Sequence, residues 1–576
     1  MNKFDDLLRR RWLAPVLLTL AAAAAYGHTF DVPWYFDDIR AIVKSTVVQD
    51  LGRAFSRVLA PRGLANLSFA LNYHWGGTVT LGYHMVNILI HLGVSWLVFL
   101  LLRRVSAGHS GPPLFGALLF LLHPLQTQAV TYVVQRMTSL SALFFFLAVW
   151  LYVRFLEISG GRRLYFYGVA LLAGALAVST KENAAILPIA LLLFDLFYGP
   201  RGRRVRDRIL LVVPFSLAPV WLGFNMVLAP ALGGKSLQSI GTAEVLGSAV
   251  TVTPLQYLVT EWKVLWLYLK LLVVPVGQAL EYGYPVAESL LSPVHLVAGV
   301  GLALLLGAAV VLRTRLPGLS FGIFWFFITL SVESTLIPLD PVYEHRLYVP
   351  MFGFVVALLA VGNQIRPYLP RPALPVLTVM ILLVTGGLTW QRNQEWRDPV
   401  ALWSSNLSVS QGSYRPFIGL ADAYFQQGRE EEAMQAYRHM LKRYEAEELH
   451  SQVNTRYLLN ISVAYERMGQ FEGAERILKQ VLAMNPGYAE GAYNLGVVLY
   501  RQGRLQEALV YFDRARRLAP GDPKALNNYG FVALELGQVE IARQVLQPLA
   551  RLSPRMSIAL ETEISSYETS LEPASP

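Results

Sequence analysis

Long apolar runs separated by short charged breaks organise the first two thirds of the chain. Runs approaching the roughly 17 to 25 residues that cross a bilayer's hydrocarbon core fall near 12–30, 83–102, 112–124, 138–153, 164–180, 184–198, 209–228, 293–312, 318–333, 348–365 and 373–390. Several are short, and the third is expected to continue past His123-Pro124. The pattern predicts about eleven transmembrane helices within 1–392. The first run follows Arg9, Arg10 and Arg11 and has no small-residue cleavage site, so it reads as a retained helix and not as a removed leader.

From about Ser413 the period changes. Gly469, Gly503 and Gly537 stand 34 apart, with Ala474, Ala508 and Ala542 five residues after each and Pro486, Pro520 and Pro554 seventeen after each. This pattern resembles tetratricopeptide repeats, with a divergent first copy around Gly428 and Ala433. The glycine suits a tight inter-helix turn, the alanine lets two helices approach, and the proline stops the second helix. The expectation is an all-α chain: a polytopic helical domain over 1–392, a linker over 393–412, about four repeats over 413–560, and a disordered tail over 561–576. A short right-handed solenoid offers a concave face suited to an extended client peptide. Self-association or bracing of the membrane domain is the alternative use.

Composition supports the membrane reading, because 54% of the 576 residues are hydrophobic and 15% charged, too little polar surface for a soluble chain of this length. Cysteine is absent, which excludes disulfides, thiolate nucleophiles and cysteine zinc sites. The net charge of +10 is distributed unevenly. With the N-terminus inside, the cytoplasmic segments 1–11, 103–111, 154–163, 199–208, 313–317 and 366–372 hold 18 Lys/Arg in 52 residues. The opposite segments 31–82, 125–137, 181–183, 229–292 and 334–347 hold 11 in 146. That bias follows the positive-inside rule, so RGRRVRDR at 201–208 reads as an anchor and nucleic-acid binding is disfavoured. Everything after Trp390 is then external.

Four constellations fall on the external side. In PWYFDDIRAIVKS, Asp37 and Asp38 are adjacent; one suits a general base and its neighbour an orienting role, the bland account being a helix N-cap. In LFLLHPLQTQAVTYVVQRMTSLSALFFFL, His123-Pro124 breaks an apolar helix and Arg136 marks re-entry; the cation suits an anionic headgroup, or it snorkels. STKEN places Lys181 and Glu182 together between two runs, as a local ion pair or part of a phosphate site. Glu344, His345 and Arg346 precede another run, where charges are costly unless they meet a ligand or each other. YHMVNILIH adds His84, Asn87 and His91 on one helical face, sufficiently explained by interhelical hydrogen bonds. No zinc spacing, phosphate loop, dinucleotide fingerprint or GxSxG elbow occurs. The segment VTEWKVLWLYLKLLVVPVG reads as interfacial or re-entrant, with Trp262 and Trp266 at headgroup level.

Taken in order, YFDDIRAIV, GYHMVNILIHL, LLHPLQTQAV, VVQRMTSLSALFF, STKEN, EHRLYVP and the repeats resemble the transmembrane and tetratricopeptide-repeat O-mannosyltransferases and their bacterial relatives, among the C-type membrane glycosyltransferases. The resemblance implies a polyprenyl-phosphate-linked sugar as donor, chemistry on the non-cytoplasmic face, and Asp37 or Asp38 as base. Fewer repeats than in animal members, and His345 in the EHRLY stretch, depart from that family and leave sugar and acceptor open. They favour a bacterial inner membrane. Direct attack by a hydroxyl would invert the anomeric centre. The departing phosphate needs positive charge, for which Arg136, Lys181, His345 and Arg346 are candidates, with Glu182 and Glu344 beside them and His84, Asn87 and His123 as pocket residues. A divalent metal is the other source of charge, and no other cofactor is implied. The expected acceptor is Ser or Thr of a protein held by the repeats. A lipid or glycan acceptor, or a non-enzymatic scaffold or transporter, are the rivals.

Overall fold

The computed structural model describes residues 12–106, 111–224, 252–287, 289, 292–337, 339–370, 373–410, 412–446 and 455–571. It separates into two compact units, one ending at Gln411 and the other running from Gly412. No strand occurs among the described residues.

Each apolar run is mostly helical where it is described. In the first unit the helices used below are α1 (Leu13–Tyr26), α2 (Gly63–Gly76), α3 (Thr80–Val105), α4 (Gly111–Leu122), α5 (Thr127–Val130), α6 (Arg136–Glu157) and α7 (Arg162–Thr180). They continue with α8 (Leu187–Tyr198), α9 (Pro254–Val273), α10 (Pro293–Leu312), α11 (Pro317–Leu330), α12 (Pro350–Ile365), α13 (Ala373–Arg397) and α14 (Pro399–Val409). Among the described residues only five helices are long and apolar enough to cross a bilayer, or six when the bent pair Gly111–Leu122 and Pro124–Val130 is taken as one span. The expected eleven is not reached. Proline is one reason: it opens α8 as Pro188, and Pro214 breaks the 209–228 run into shorter turns.

The break at His123-Pro124 was expected to be passed by a continuing helix, and the two halves do meet at 51°. The His123 ring accepts the Leu125 amide and replaces the backbone acceptor that the bend removes. Close packing elsewhere follows from small residues. A Cβ on Gly322 would lie 2.3 Å from the Gly353 carbonyl oxygen, so α11 and α12 touch backbone to backbone. Trp262 and Trp266 pack on Gly299 and Gly301, so α9 seats α10 with the tryptophans expected at headgroup level.

The expected linker is helical. Residues 393–397 complete α13, and α14 belongs to the first unit, with Leu402 and Trp403 buried. Apolar burial on one face of a helix capped by Asp398 ties this segment to the first unit.

The second unit is built of four helix pairs: α15 (Arg415–Gln426) with α16 (Glu430–Glu445), α17 (Thr455–Arg467) with α18 (Phe471–Met484), α19 (Ala489–Arg501) with α20 (Leu505–Leu518), and α21 (Pro523–Glu535) with α22 (Val539–Leu552). Gly428, Gly469, Gly503 and Gly537 occupy the inter-helix turns at φ 72°, 68°, 76° and 75°, a region open to glycine without penalty. Ala433, Ala474, Ala508 and Ala542 are fully buried where the paired helices meet. A final helix, α23 (Pro554–Leu571), buries Leu560 and Ile564 against Leu526, Val545 and Leu549. The expected disordered tail is therefore helical through Leu571, because this apolar stripe closes the open end of the solenoid; 572–576 lie outside the described residues.

Candidate functional site

The paired acids divide between two environments. Asp38 is buried and Asp37 exposed. Asp38 Oδ2 accepts the Tyr35 amide at 3.1 Å, and Oδ1 accepts the Val134 amide at 2.7 Å. Val134 lies in the turn that opens the α6 span, so the carboxylate occupies the positive end of a helix remote in sequence. Asp38 makes no side-chain cap bond to the turn beginning at Ile39, so the local N-cap account does not hold for this residue. Burial pushes the Asp38 carboxyl up to about 8, against the two amide bonds that lower it. Phe36 precedes the pair at φ 45°, and the Asp37 amide donates to the Tyr132 hydroxyl at 2.9 Å. A bulky residue at positive φ costs on the order of 1–3 kcal/mol and persists where the surroundings hold it. Here the holding presents Asp37.

A second cluster gathers three constellations that sequence separates. Lys181 Nζ donates to Thr138 Oγ1 at 3.0 Å and lies 3.4 Å from Glu333 Oε1. Glu333 Oε2 accepts Asn183 Nδ2 at 3.2 Å, and Arg346 Nε lies 3.9 Å from Oε1. Burial lowers the Lys181 ammonium, opposed by Glu333, whereas for Glu333 the two cations overcome burial and hold its carboxyl below the usual range. Thr138, Asn183, His345 and Arg346 line a cavity with Ser141, Phe145, Thr329 and Val349. Val134 and Thr138 are about one turn apart, roughly 6 Å along the axis. The Asp38 and Lys181 contacts thus flank the same opening turn of one helix. Arg62, which opens α2, adds an ion pair to Glu182 at 3.1 Å and ties the first loop to STKEN.

Not every expected site residue faces this cavity. Arg136 is fully buried: Nε donates to Asn87 Oδ1 at 2.6 Å, Nη1 to the Ser68 carbonyl at 3.1 Å and Nη2 to the Tyr83 carbonyl at 2.9 Å. Its ring neighbours are Phe69 and Tyr83. This geometry joins α2, α3 and α6 and corrects the expectation of a headgroup or phosphate contact, because the guanidinium's edges already meet protein acceptors. Glu344 departs likewise. Its oxygens accept the Ala279 amide, the Tyr282 hydroxyl and Gln278 Nε2, which pins 278–282, and burial raises its carboxyl. Glu182 is spent on Arg62 and is not paired with Lys181.

His345 donates its backbone amide to Gln128 Oε1 at 2.7 Å and has Nδ1 3.0 Å from the same oxygen. Since that oxygen only accepts, Nδ1 carries the proton. Burial, reinforced by the cations Lys181, Arg346 and Arg62, holds its basicity well below the ordinary value. Burial and the neighbouring cations thus disfavour the charged ring that a phosphate contact calls for. The histidines of α3 serve packing: His84 Nε2 meets the Val32 carbonyl, Asn87 Nδ2 the Val130 carbonyl, and His91 lies between the Tyr348 hydroxyl and the Leu121 carbonyl. His123 Nε2 meets the Leu272 carbonyl. Among the described residues no three His, Cys, Asp or Glu are grouped to hold a metal ion.

Glu333 is not among the residues that the sequence singles out. The available signal was an acid closing the apolar run FGIFWFFITLSV, the same signal that drew notice to FDD. The basic segment 201–208 also has a structural use, since Arg203 and Arg208 form ion pairs with buried Asp195 beside the Tyr152 hydroxyl.

Comparison with known proteins follows the same division. Tetratricopeptide-repeat family models match 414–447, 459–523 and 499–555. Over 405 residues the chain is 26% identical to "Protein O-mannosyl-transferase F38B6.6" of Caenorhabditis elegans, covering 65% of this chain and 54% of that one. It is 24% identical over 506 residues to "Protein O-mannosyl-transferase TMTC1" of Homo sapiens, covering 75% and 55%. The chain spans about half the length of these curated relatives. A solved repeat protein, YrrB, shares 18% identity at TM-score 0.23, covering 31% of this chain and 87% of that one.

Proposed function

We propose that this relative of the tetratricopeptide-repeat protein O-mannosyl-transferases is itself a membrane O-glycosyltransferase. It moves a hexose, mannose by the names of its relatives, from a polyprenyl phosphate to Ser or Thr of a protein acceptor, in a bacterial inner membrane. The observation that carries this reading is the juxtaposition of one exposed carboxylate, Asp37, with a cation-bearing cavity along the opening turn of α6.

Asp37 takes the proton of the acceptor hydroxyl as that oxygen attacks the anomeric carbon. The bond from that carbon to the phosphate oxygen breaks, and the phosphate leaves as an anion that needs no proton. Lys181 and Arg346 oppose its negative charge, each well-placed contact contributing on the order of 10²–10³-fold in turnover. Asp38 holds the loop that carries Asp37. Attack from the face opposite the leaving group inverts the centre. The repeats hold the acceptor as an extended segment, in agreement with the family matches over 414–555.

The test is transfer from polyprenyl-phosphate mannose to a Ser/Thr peptide by the full chain in bilayers, with a membrane glycolipid as competing acceptor. Glycopeptide is the expected product. Glycolipid alone would replace the protein acceptor by a lipid one, and no product from any polyprenyl-phosphate sugar would sink the reading.

A further inference from the structure

Residues 32–36, which lead into Asp37, form no helix or strand, so the place of this acid depends on what its loop touches. Three contacts reach the loop from distant parts of the chain. The Asp37 amide donates to the Tyr132 hydroxyl oxygen at 2.9 Å, and the Tyr35 hydroxyl donates to the Trp396 carbonyl at 2.7 Å. The Phe36 ring packs on Trp403 of α14 with centroids 6.2 Å apart. Trp396, at the end of α13, joins these contacts into one unit. Its ring stacks on Tyr132 at 5.7 Å with the planes 24° apart, and it meets the Tyr35 ring edge-on at 5.6 Å. Tyr35, Tyr132 and Trp396 are all buried. Beside them the Thr131 hydroxyl donates to Asn393 Oδ1 on α13 at 2.7 Å, which fixes the backbone next to Tyr132.

Two large buried rings in contact cannot turn without displacing each other. The Tyr132 hydroxyl is therefore fixed in space, and the Asp37 amide is fixed with it. Because Tyr35, Phe36 and Asp37 are each held, the loop keeps Phe36 at φ 45°. Satisfying an amide does not require this arrangement, since Asp37 is exposed and water can serve an amide near the surface. What the buried tyrosine adds is a defined position. The Asp37 and Asp38 carboxylates both lie within electrostatic reach of its hydroxyl. A general base must come within hydrogen-bond reach of the proton it takes, and a misplacement of about 1 Å costs up to about 10²-fold in rate.

We infer that Tyr132 is the positioning residue of the base: its hydroxyl sets the place of Asp37, and Trp396 sets the place of Tyr132. The inference rests on the proposed glycosyl transfer and adds the groups that keep the base within reach of the acceptor hydroxyl. Tyr132 acts through Asp37 and exchanges no proton with the reacting atoms.

The test is transfer from polyprenyl-phosphate mannose to a Ser/Thr peptide by the full chain in bilayers, read as kcat and donor KM. The variants are Tyr132→Phe, Trp396→Phe, Asp37→Asn and the double variant Tyr132→Phe with Asp37→Asn. Tyr132→Phe keeps the stacked ring and removes only the oxygen, and it should lower kcat about 10- to 100-fold with donor KM unchanged. Trp396→Phe, which loosens the stack from its other side, should show the same split. The double variant should be no slower than Asp37→Asn alone, because a residue that acts through the base has nothing left to position. Wild-type kcat in both aromatic variants overturns the positioning role and leaves the transfer reading standing. So does a further loss in the double variant as large as that of Tyr132→Phe by itself. Full turnover in Asp37→Asn overturns the base assignment and this inference with it.

Discussion

Asp38 Oδ1 accepts the Val134 amide at 2.7 Å across 96 residues of sequence, and this bond separates the roles of two acids that sequence presents as equals. One is consumed in building the loop and the other is left exposed beside it.

Asp37→Asn should therefore lower transfer by about 10²–10⁴-fold, the usual contribution of a general base, with a smaller loss of melting temperature than at Asp38. Asp38→Asn replaces an acceptor with an NH₂ against two amide donors and should cost about 1–3 kcal/mol of stability along with activity. Turnover and thermal unfolding measured on both variants check this. Equal melting losses from both would remove the division of labour.

The Asp38 carboxyl is raised to about 8 in the folded chain, above the ordinary carboxylate value near 4. The folded state then binds the proton more tightly than the unfolded one, and stability falls as pH rises from about 4 through about 8. The expected result is a wild-type melting temperature that declines over that window more steeply than that of Asp38→Asn. Parallel profiles would contradict it.

Lys181 stands between Thr138 and Glu333. Lys181→Met should cut turnover about 10²–10³-fold and lower stability, because Glu333 loses a buried counter-charge. Adding Glu333→Gln should restore the melting temperature without restoring turnover. Restoration of both by the double variant would make the pair purely structural.

Arg136 holds three fixed contacts in a buried place. Arg136→Lys cannot reproduce that fork and should destabilise the chain by about 3 kcal/mol or more, seen as lost folded yield. The surviving folded fraction is expected to bind polyprenyl phosphate with wild-type affinity. A specific loss of that affinity would return Arg136 to the phosphate.

Gly503 turns between α19 and α20 at φ 76°. Gly503→Ala should cost about 1–2 kcal/mol, and hydrogen exchange should show faster opening of those two helices than of α6.

The sequence by itself determined what depends on local period and composition. Runs of apolar residues can only be helices if their backbone is to be satisfied in a bilayer, and a spacing of 34 with glycine, alanine and proline at fixed offsets repeats one helix pair. The FDD, STKEN and EHRLYVP stretches were legible because charges beside apolar runs are costly enough to need a reason. What those charges meet was decided by tertiary structure. Neighbouring residues in EHR diverge, Glu344 to Gln278 and Tyr282 and Arg346 to Glu333, because successive side chains on a tight turn leave in different directions. Arg136, which reads like a phosphate ligand, is enclosed by Asn87, Ser68 and Tyr83 from two other helices. Glu261 carries no local signal at all, since its neighbours Ser334, Tyr257 and Arg346 meet it only where α9 packs beside the segment from Glu333 to Arg346. Pairing is a property of groups brought together from distant parts of the chain, and period along one helix does not encode it.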